Sequence, residues 1–397
     1  MFLRLVIAAL VTCAVWAQEP GPPPPAAGHP ILAIGSPAPD FTLPGVDGKI
    51  HKLSDYSASP ILMVIFMCNH CPTSQLYEGR IQKLVNDYRD RGVASVAIQP
   101  NDPQAILLSE LGYTDVSDSL EEMKIRAAYR HFDFPYLYDG ATQAVAQAYG
   151  PTATPHVFIF DKDRKLRYEG RIDNSQRESL VTKQDARAAL DAMLAGKPVA
   201  EPRTPAFGCS TKWKSKIDSQ LRERQRIEAE PVKVEAVTAE GLKKLRANDT
   251  GKVLLVNFWA TWCGPCLTEF PDIQNTWRMF RRRDFDLVTV SVNLPDETAG
   301  VMRILKQEHA SSRNLQFATE DTYGLQAAFE KTWEGGVPFT MVIAPGGKVL
   351  FQQQGEVDVL ALRRLILAHL ENETYVGHPG YWANPGDSAA AIEAASK

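Results

Sequence analysis

The sequence predicts an α/β chain made of two tandem domains, each with a central mixed sheet flanked by helices. Its 397 residues exceed the usual size of one domain. A strand-like apolar run leads into a Cys-x-x-Cys motif twice, at Cys68 and Cys71 and again at Cys263 and Cys266. After each motif the same order follows: helix, strand, helix, proline, hairpin and helix. The chain therefore predicts two copies of one fold.

The N-terminal segment predicts export. Residues 1–17 combine a basic Arg4, an apolar run and a small Ala17, which is typical of a cleaved signal peptide and is too short to span a membrane. Thr12 is a poor residue before a lipidation site, so a lipid anchor on Cys13 is disfavoured. Residues 18–30 are proline-rich and predict an extended tether. We expect a secreted, periplasmic protein.

Composition and spacing set the predicted boundaries. The first domain covers 31–200, a charged linker 201–231, the second domain 232–371, and a tail with no assignable motif 372–397. The net charge of −4 gives no indication of nucleic-acid binding.

Each element of the first domain has a local signal. Asp47-Gly48 predicts a hairpin, and Ser119 with Glu122 predicts a helix N-terminus. The remaining patterns predict strands over 61–67, 93–98, 156–160 and 166–170, and a helix from the periodic apolar residues Ile81, Leu84, Val85 and Tyr88.

The second domain has matching signals. Leu242 and Leu245 predict its first helix. Apolar runs predict strands over 253–259, 287–292, 339–343 and 349–353, and periodic residues predict helices after Cys263, over 322–329 and over 359–370.

Cys263 and Cys266 lie where a predicted strand meets a helix. The positive end of the helix dipole favours a thiolate at Cys263, and Cys266 lies one turn later, where it can close a disulfide. A zinc site would need a second ligand pair nearby, and the sequence offers none at suitable spacing. A redox role is therefore favoured for this pair.

The stretch from Phe258 to Pro271 resembles thioredoxin, and more closely its extracytoplasmic TlpA-like branch. The resemblance implies that Pro338 is a cis proline beside the cysteines and that Glu269 is the acidic residue near the site. Asn257 occupies the place of the buried aspartate of thioredoxin. Proton transfer then falls to Glu269 or to water.

The first domain resembles the redoxin group, which is related to peroxiredoxins, through Cys-Asn-His-Cys-Pro. The resemblance implies that Cys68 attacks, Cys71 resolves and Pro155 is the matching proline. We expect His70 to stabilise the Cys68 thiolate and to make this disulfide the more oxidising. A further hypothesis is electron flow from the second pair to the first.

Three alternatives stay open. His70 and His156 could join Cys68 and Cys71 in a copper or zinc site, which makes the chain a metal chaperone. The first domain could be a thiol-dependent peroxidase with the second domain as its attached reductant, although the Pro-x-x-x-Thr/Ser-x-x-Cys loop of peroxiredoxins is absent from the sequence. Cys209 is either a resolving thiol for Cys68 or a buried cysteine.

The predicted function is an extracytoplasmic thiol-disulfide oxidoreductase that uses both Cys-x-x-Cys pairs. We expect no cofactor and no resident metal. The predicted partners are protein thiols and disulfides, together with an upstream thiol electron donor that could be membrane-bound.

Overall fold

The computed structural model describes residues 29–370. The predicted signal peptide, the lipidation candidate Cys13, nearly all of the tether and the C-terminal tail lie outside these residues. In the described part of the chain, no helix is both long enough and apolar enough to cross a bilayer.

The first domain contains nine strands and four α-helices if the segment through Ser210 is included, and α5 follows it. In chain order these are β1 (Thr42–Pro44), β2 (Ile50–Lys52), β3 (Ile61–Phe66), α1 (Pro72–Arg89), β4 (Val93–Gln99), α2 (Leu120–Arg130), β5 (Tyr136–Tyr138), α3 (Ala144–Tyr149), β6 (Ala153–Thr154), β7 (His156–Phe160), β8 (Leu166–Gly170), α4 (Asp185–Leu194), β9 (Cys209–Ser210) and α5 (Ile217–Glu228).

Strand β3 lies at the centre of the first sheet, whose order is β5-β4-β3-β7-β8. β3 is parallel to β4 and antiparallel to β7. Every residue of β3 is buried, because both faces of the sheet are covered. One face packs on α1, α2 and α4, and the other on Phe41, Leu43, α3 and Trp213. The predicted hairpin and the Ser119 capping box are both present.

The second domain has the same layout. Its elements are β10 (Glu235–Val237), α6 (Ala239–Ala247), β11 (Val253–Trp259), α7 (Gly264–Phe280), β12 (Phe285–Ser291), α8 (Thr298–Gln307), β13 (Arg313–Phe317), α9 (Thr322–Phe329), β14 (Phe339–Ile343), β15 (Val349–Gln354) and α10 (Val359–Leu370). The sheet order is β10-β13-β12-β11-β14-β15, so β11 is central as β3 is.

The segment predicted as a linker packs on the first domain. Cys209 and Ser210 pair with β6, and the Lys212 backbone donates a hydrogen bond to the Asn101 side chain (2.8 Å). Trp213 is buried in the core beside α3. We therefore place the end of the first domain after β9, and only α5 and the residues after it connect the domains.

An apolar cluster joins the two domains. Ile106 and Leu111 of the first domain belong to the same buried cluster as Trp277 and Phe280 of α7. At its edge, Arg364 of α10 forms an ion pair with Asp115 at 2.7 Å. The C-terminal half of α7 thus faces the first domain.

Phe280 is fully buried at this junction. We expect Phe280→Ala to lower the free energy of unfolding by about 3 to 5 kcal/mol, because the lost ring leaves a cavity. Urea unfolding followed by tryptophan fluorescence measures the change. The control Tyr323→Ala removes a ring that is 80% exposed and should change stability by about 0.5 kcal/mol at most. Equal effects of the two variants would contradict this account of the junction.

Candidate active sites

In the second domain Cys263 caps the N-terminus of α7. Its Sγ accepts a hydrogen bond from the Cys266 backbone N–H at 3.2 Å, and the two cysteines form a disulfide. The carbonyl oxygen of Val337, which precedes the cis proline Pro338, lies 3.6 Å from Cys263 Sγ. The structure therefore brings together Cys263, Cys266 and Pro338, the three residues that the sequence predicted for one site.

Asn257 and Glu269 meet behind this disulfide. The Asn257 amide donates hydrogen bonds to Glu269 Oε1 and Thr340 Oγ1, both at 3.0 Å, and the Val357 N–H donates to Glu269 Oε2 at 3.1 Å. Burial raises the pKa of Glu269, and these donors offset only part of that effect. Glu269 follows Cys266 by one helical turn, so it is placed to exchange a proton with that thiol.

In the first domain the helix begins later, and Cys71 is the capping residue. The Ser74 N–H donates to Cys71 Sγ at 3.4 Å, and the Thr154 carbonyl oxygen lies 3.3 Å from the same sulfur. These contacts reproduce those of Cys263 with Cys266 and Val337.

Sheet register confirms this correspondence. Phe66 pairs with His156, and Phe258 pairs with Phe339, so both pairs directly follow a cis proline. Cys71 lies five residues after Phe66, as Cys263 does after Phe258. The expected match of Cys68 with Cys263 is therefore wrong by three positions, because α1 starts at Pro72.

Cys68 lies in the loop before the helix, away from the first-turn N–H groups. Its Sγ is 3.2 Å from Thr154 Oγ1. Burial, together with the neighbouring Cys71 and Asp118 charges, raises the pKa of Cys68 well above that of a free thiol. The expectation that Cys68 is the attacking thiolate is thus contradicted by its surroundings.

The contacts of Cys71 favour a thiolate there instead. Burial opposes a charge on this sulfur, but hydrogen bonds from Cys209 and Cys68, the His70 charge and the Ser74 N–H hold the pKa of Cys71 well below its ordinary value.

His70 is paired with a carboxylate. Its Nδ1 is 2.6 Å from Asp118 Oδ2, and Asp118 Oδ1 accepts the backbone N–H groups of Asn69 and His70. Burial favours neutral imidazole, yet the Asp118 charge outweighs it and raises the pKa of His70. Asp118 therefore favours the cationic form of His70, and the His70 charge lowers the pKa of Cys71 and not that of Cys68, the predicted thiolate.

His156 does not face the cysteines as the metal hypothesis required. Its Nε2 is 2.9 Å from Glu169 Oε2, and its Nδ1 accepts the Thr152 N–H at 3.3 Å. Donor atoms of Cys68, His70 and Asp118 do lie within 4.8 Å of one another. Because Asp118 is bound to the imidazole, this group fits a histidine-carboxylate pair better than a set of metal ligands.

Cys209 contacts Cys71 and not Cys68. Strand β9 places it opposite Thr154, and its backbone N–H donates to Cys71 Sγ at 3.3 Å. Neither predicted role holds unchanged. Cys209 is partly exposed and not fully buried, and the sulfur next to it is that of Cys71 and not that of Cys68. Sequence reasoning also missed Asp118 and Thr154, although Thr154 directly precedes the predicted cis proline Pro155, which is confirmed.

Two family models match the chain, one in each domain. The AhpC/TSA family model matches residues 34–169, and the Redoxin model matches residues 228–362. The chain belongs to the thioredoxin-like proteins and carries two such domains in tandem. The Redoxin match falls on the second domain, whereas the redoxin resemblance was drawn for the first.

Named relatives match about a third of the chain or less. The chain is 28% identical over 27% of its length to the thiol-disulfide oxidoreductase ResA of Bacillus subtilis and covers 56% of that protein. It is 27% identical over 32% of its length to the thiol:disulfide interchange protein HelX of Rhodobacter capsulatus and covers 66% of it. The chain thus spans little more than half the length of the first relative.

A solved structure resembles this chain more closely in sequence. An uncharacterized conserved protein from Geobacillus kaustophilus is 41% identical, with 47% of this chain and 95% of that chain covered and a TM-score of 0.42.

The placement of Cys71 generates a titration test. We expect the reduced Cys263→Ser, Cys266→Ser protein to hold a thiolate, seen by its ultraviolet absorbance near 240 nm, well below the pH where a free cysteine ionises, which is about 8.5. Further replacement Cys71→Ser should abolish this signal, because it removes the charged sulfur. Cys68→Ser is the matched control and should retain it, since a hydroxyl can still donate to Cys71. Loss of the signal in the Cys68→Ser protein alone would reverse the assignment.

Proposed function

We propose that the chain is an exported thiol-disulfide oxidoreductase that exchanges disulfides with other proteins at both domains. The observation that carries the proposal is the cysteine sulfur at the start of the central helix in each domain, held by a backbone N–H and next to the carbonyl before a cis proline. That arrangement favours a thiolate in both domains. In the second domain the sulfur also lies beside partly exposed backbone at Val337, on which an extended peptide can pair, whereas in the first domain β9 already pairs with β6.

At the second domain the reaction begins on the reduced pair. The Cys263 thiolate attacks a substrate disulfide, so that one substrate sulfur leaves as a thiolate and the other is held in a mixed disulfide. Glu269 takes the proton of Cys266, whose sulfur then attacks Cys263 and releases the second substrate thiol. The products are a reduced substrate and the Cys263–Cys266 disulfide. An upstream thiol donor, which could be membrane-bound, must reduce this disulfide.

At the first domain we assign Cys71 as the thiolate of the redox-active pair. Cys68 is its neighbour on the N-terminal side and is protonated near neutral pH, because its pKa is raised. The cationic His70 next to Cys71 stabilises the reduced form, which makes the corresponding disulfide the more oxidising. The first disulfide is thus still proposed to be the more oxidising of the two, with Cys71 and not Cys68 as the thiolate that His70 stabilises.

The two sites lie at opposite ends of α7. Cys263 caps the first turn of α7. The cleft beside Cys209 is lined by Met279 in the last turn and by Arg282 and Arg283 just after the helix. A helix of 17 residues is about 25 Å long, so the two pairs cannot touch in this arrangement. We therefore propose that each pair meets outside partners, and that any flow from the second pair to the first passes through another molecule.

One specific observation favours a second candidate function for the first domain. The first domain matches the AhpC/TSA family model. If Cys71 is taken as the cysteine of the peroxidase loop Pro-x-x-x-Thr/Ser-x-x-Cys, Cys68 falls at the Thr/Ser position. A thiol at that position could not replace the hydroxyl in holding peroxide, and Val64 stands at the proline position. Peroxide consumption with a dithiol donor distinguishes the two functions, and we expect none above the rate of free cysteine.

The raised pKa of Glu269 predicts a pH dependence. As pH falls through that pKa the carboxylate is protonated and cannot accept the Cys266 proton, so insulin reduction should slow as Glu269 is protonated. We expect Glu269→Gln to reduce the rate about 100-fold near neutral pH and to remove this acid limb. Glu320→Gln, which changes an exposed carboxylate, is the control and should keep the wild-type profile. An unchanged acid limb in the Glu269→Gln protein would assign proton transfer to water.

Insulin reduction with dithiothreitol tests the function itself. We expect Cys263→Ser to abolish the contribution of the second domain and Cys71→Ser that of the first, because each removes an attacking sulfur. The double variant should fall to the rate of dithiothreitol alone. Full activity in the double variant would rule the proposed function out. Periplasmic recovery of the processed chain tests the predicted export separately.

A further inference from the structure

We propose that Cys209 is the thiol through which the first domain meets outside disulfides, and that its redox partner is Cys71. This inference rests on the proposed exchange function and changes the cysteine pair that performs it. The reason is access. Cys68 and Cys71 are both 0% exposed, so a disulfide on another molecule cannot reach either sulfur, whereas Cys209 is partly exposed.

The backbone holds Cys209 against Cys71. Strand pairing sets Cys209 opposite Thr154, whose carbonyl oxygen contacts Cys71 Sγ, and the Cys209 N–H donates to that same sulfur. The Cys209 thiol is also hydrogen-bonded to the Cys71 sulfur, which lowers the pKa of Cys71 and raises that of Cys209. Two sulfurs in this relation need only a small movement to form a disulfide.

The exchange balances with these two thiols alone. The Cys71 thiolate takes the proton of Cys209, and the Cys209 sulfur attacks a disulfide R–S–S–R′, releasing R′S⁻, which is protonated. Cys71 then passes its own proton to solvent, and its thiolate attacks the Cys209 sulfur of the mixed disulfide, releasing RS⁻, which takes up a proton from solvent. One disulfide bond has formed in the protein and one has broken in the substrate, with two electrons transferred. Reduced substrate and oxidised protein react in the reverse order.

The surroundings of Cys209 favour an anionic substrate. It opens into a cleft of about 500 Å³ at the junction of the domains. Lys212, Arg282 and Arg283 line this cleft, and Glu110 neutralises Lys212 by an ion pair at 2.5 Å. Arg282, which is exposed, leaves a positive charge near Cys209, and this charge attracts a disulfide that carries carboxylates. The substrate class is thus an acidic low-molecular-weight disulfide or a peptide with acidic residues next to its cystine.

Disulfide mapping tests the pairing. The full chain with Cys263→Ser and Cys266→Ser is reduced, treated with one equivalent of oxidised glutathione, alkylated and digested for mass spectrometry. We expect a peptide pair joined through Cys71 and Cys209, both in this background and with Cys68→Ser added. A Cys68–Cys71 disulfide with fully alkylated Cys209 overturns the inference while leaving disulfide exchange, and so the proposed function, intact.

Reaction rates test the entry role and the charge preference. In the same background, Cys209→Ser should slow the reaction with oxidised glutathione at least tenfold, and a retained low-pKa thiolate shows that the domain has folded. Arg282→Glu should slow oxidised glutathione severalfold and speed the cationic disulfide cystamine. Arg313→Glu makes the same charge change outside the cleft and should alter neither rate. Equal rates with and without Cys209, or equal responses to both charge reversals, contradict the proposal.

Discussion

The interaction on which both sites depend is a sulfur held by a backbone N–H at the start of a helix. A thiolate is unstable in a protein interior unless donors compensate for lost water, and the first turn of a helix supplies them. Cys263 and Cys71 occupy this position after the central strand of their sheets. The strand fixes where the helix begins, and the neighbouring strand brings the carbonyl before the cis proline to the same sulfur. The position of the helix start therefore decides which cysteine is reactive.

The same fold gives the two domains different chemistry through what surrounds that sulfur. In the second domain a second cysteine lies inside the first helical turn, and Glu269 and Asn257 lie behind it. In the first domain that place is taken by Ser74, while a cysteine from the preceding loop and another from β9 approach the capping sulfur. Asp118 adds a buried cationic histidine. In the second domain the sulfur next to the capping cysteine belongs to Cys266, in the same helical turn. In the first domain one such sulfur belongs to Cys209, in the distant strand β9.

The packing of the domains gives the first site its surroundings. Because the C-terminal half of α7 packs on Leu111 and Ile106, its last residues complete the cleft beside Cys209. The N-terminal end of α7, with Cys263, lies on the far side. A single helix thereby carries the cysteine of one candidate site at its beginning and part of the wall of the other candidate site at its end.

Local sequence determined the elements and the chemistry of this protein. Apolar alternation and periodicity placed β3, β11, α7 and α10, the turn and capping residues placed their ends, and Cys-Gly-Pro-Cys identified the second site, because these signals act between residues a few positions apart. Only the tertiary structure decided that Cys71 is the capping thiol, that His70 pairs with Asp118, that His156 turns to Glu169 and that Cys209 reaches Cys71. Each of these depends on where a helix starts relative to a strand, or on contacts between residues far apart in the chain. The spacing within a motif predicts neither the start of the helix nor these distant contacts. The sheet register that brings those residues together is set by the packing of the whole domain.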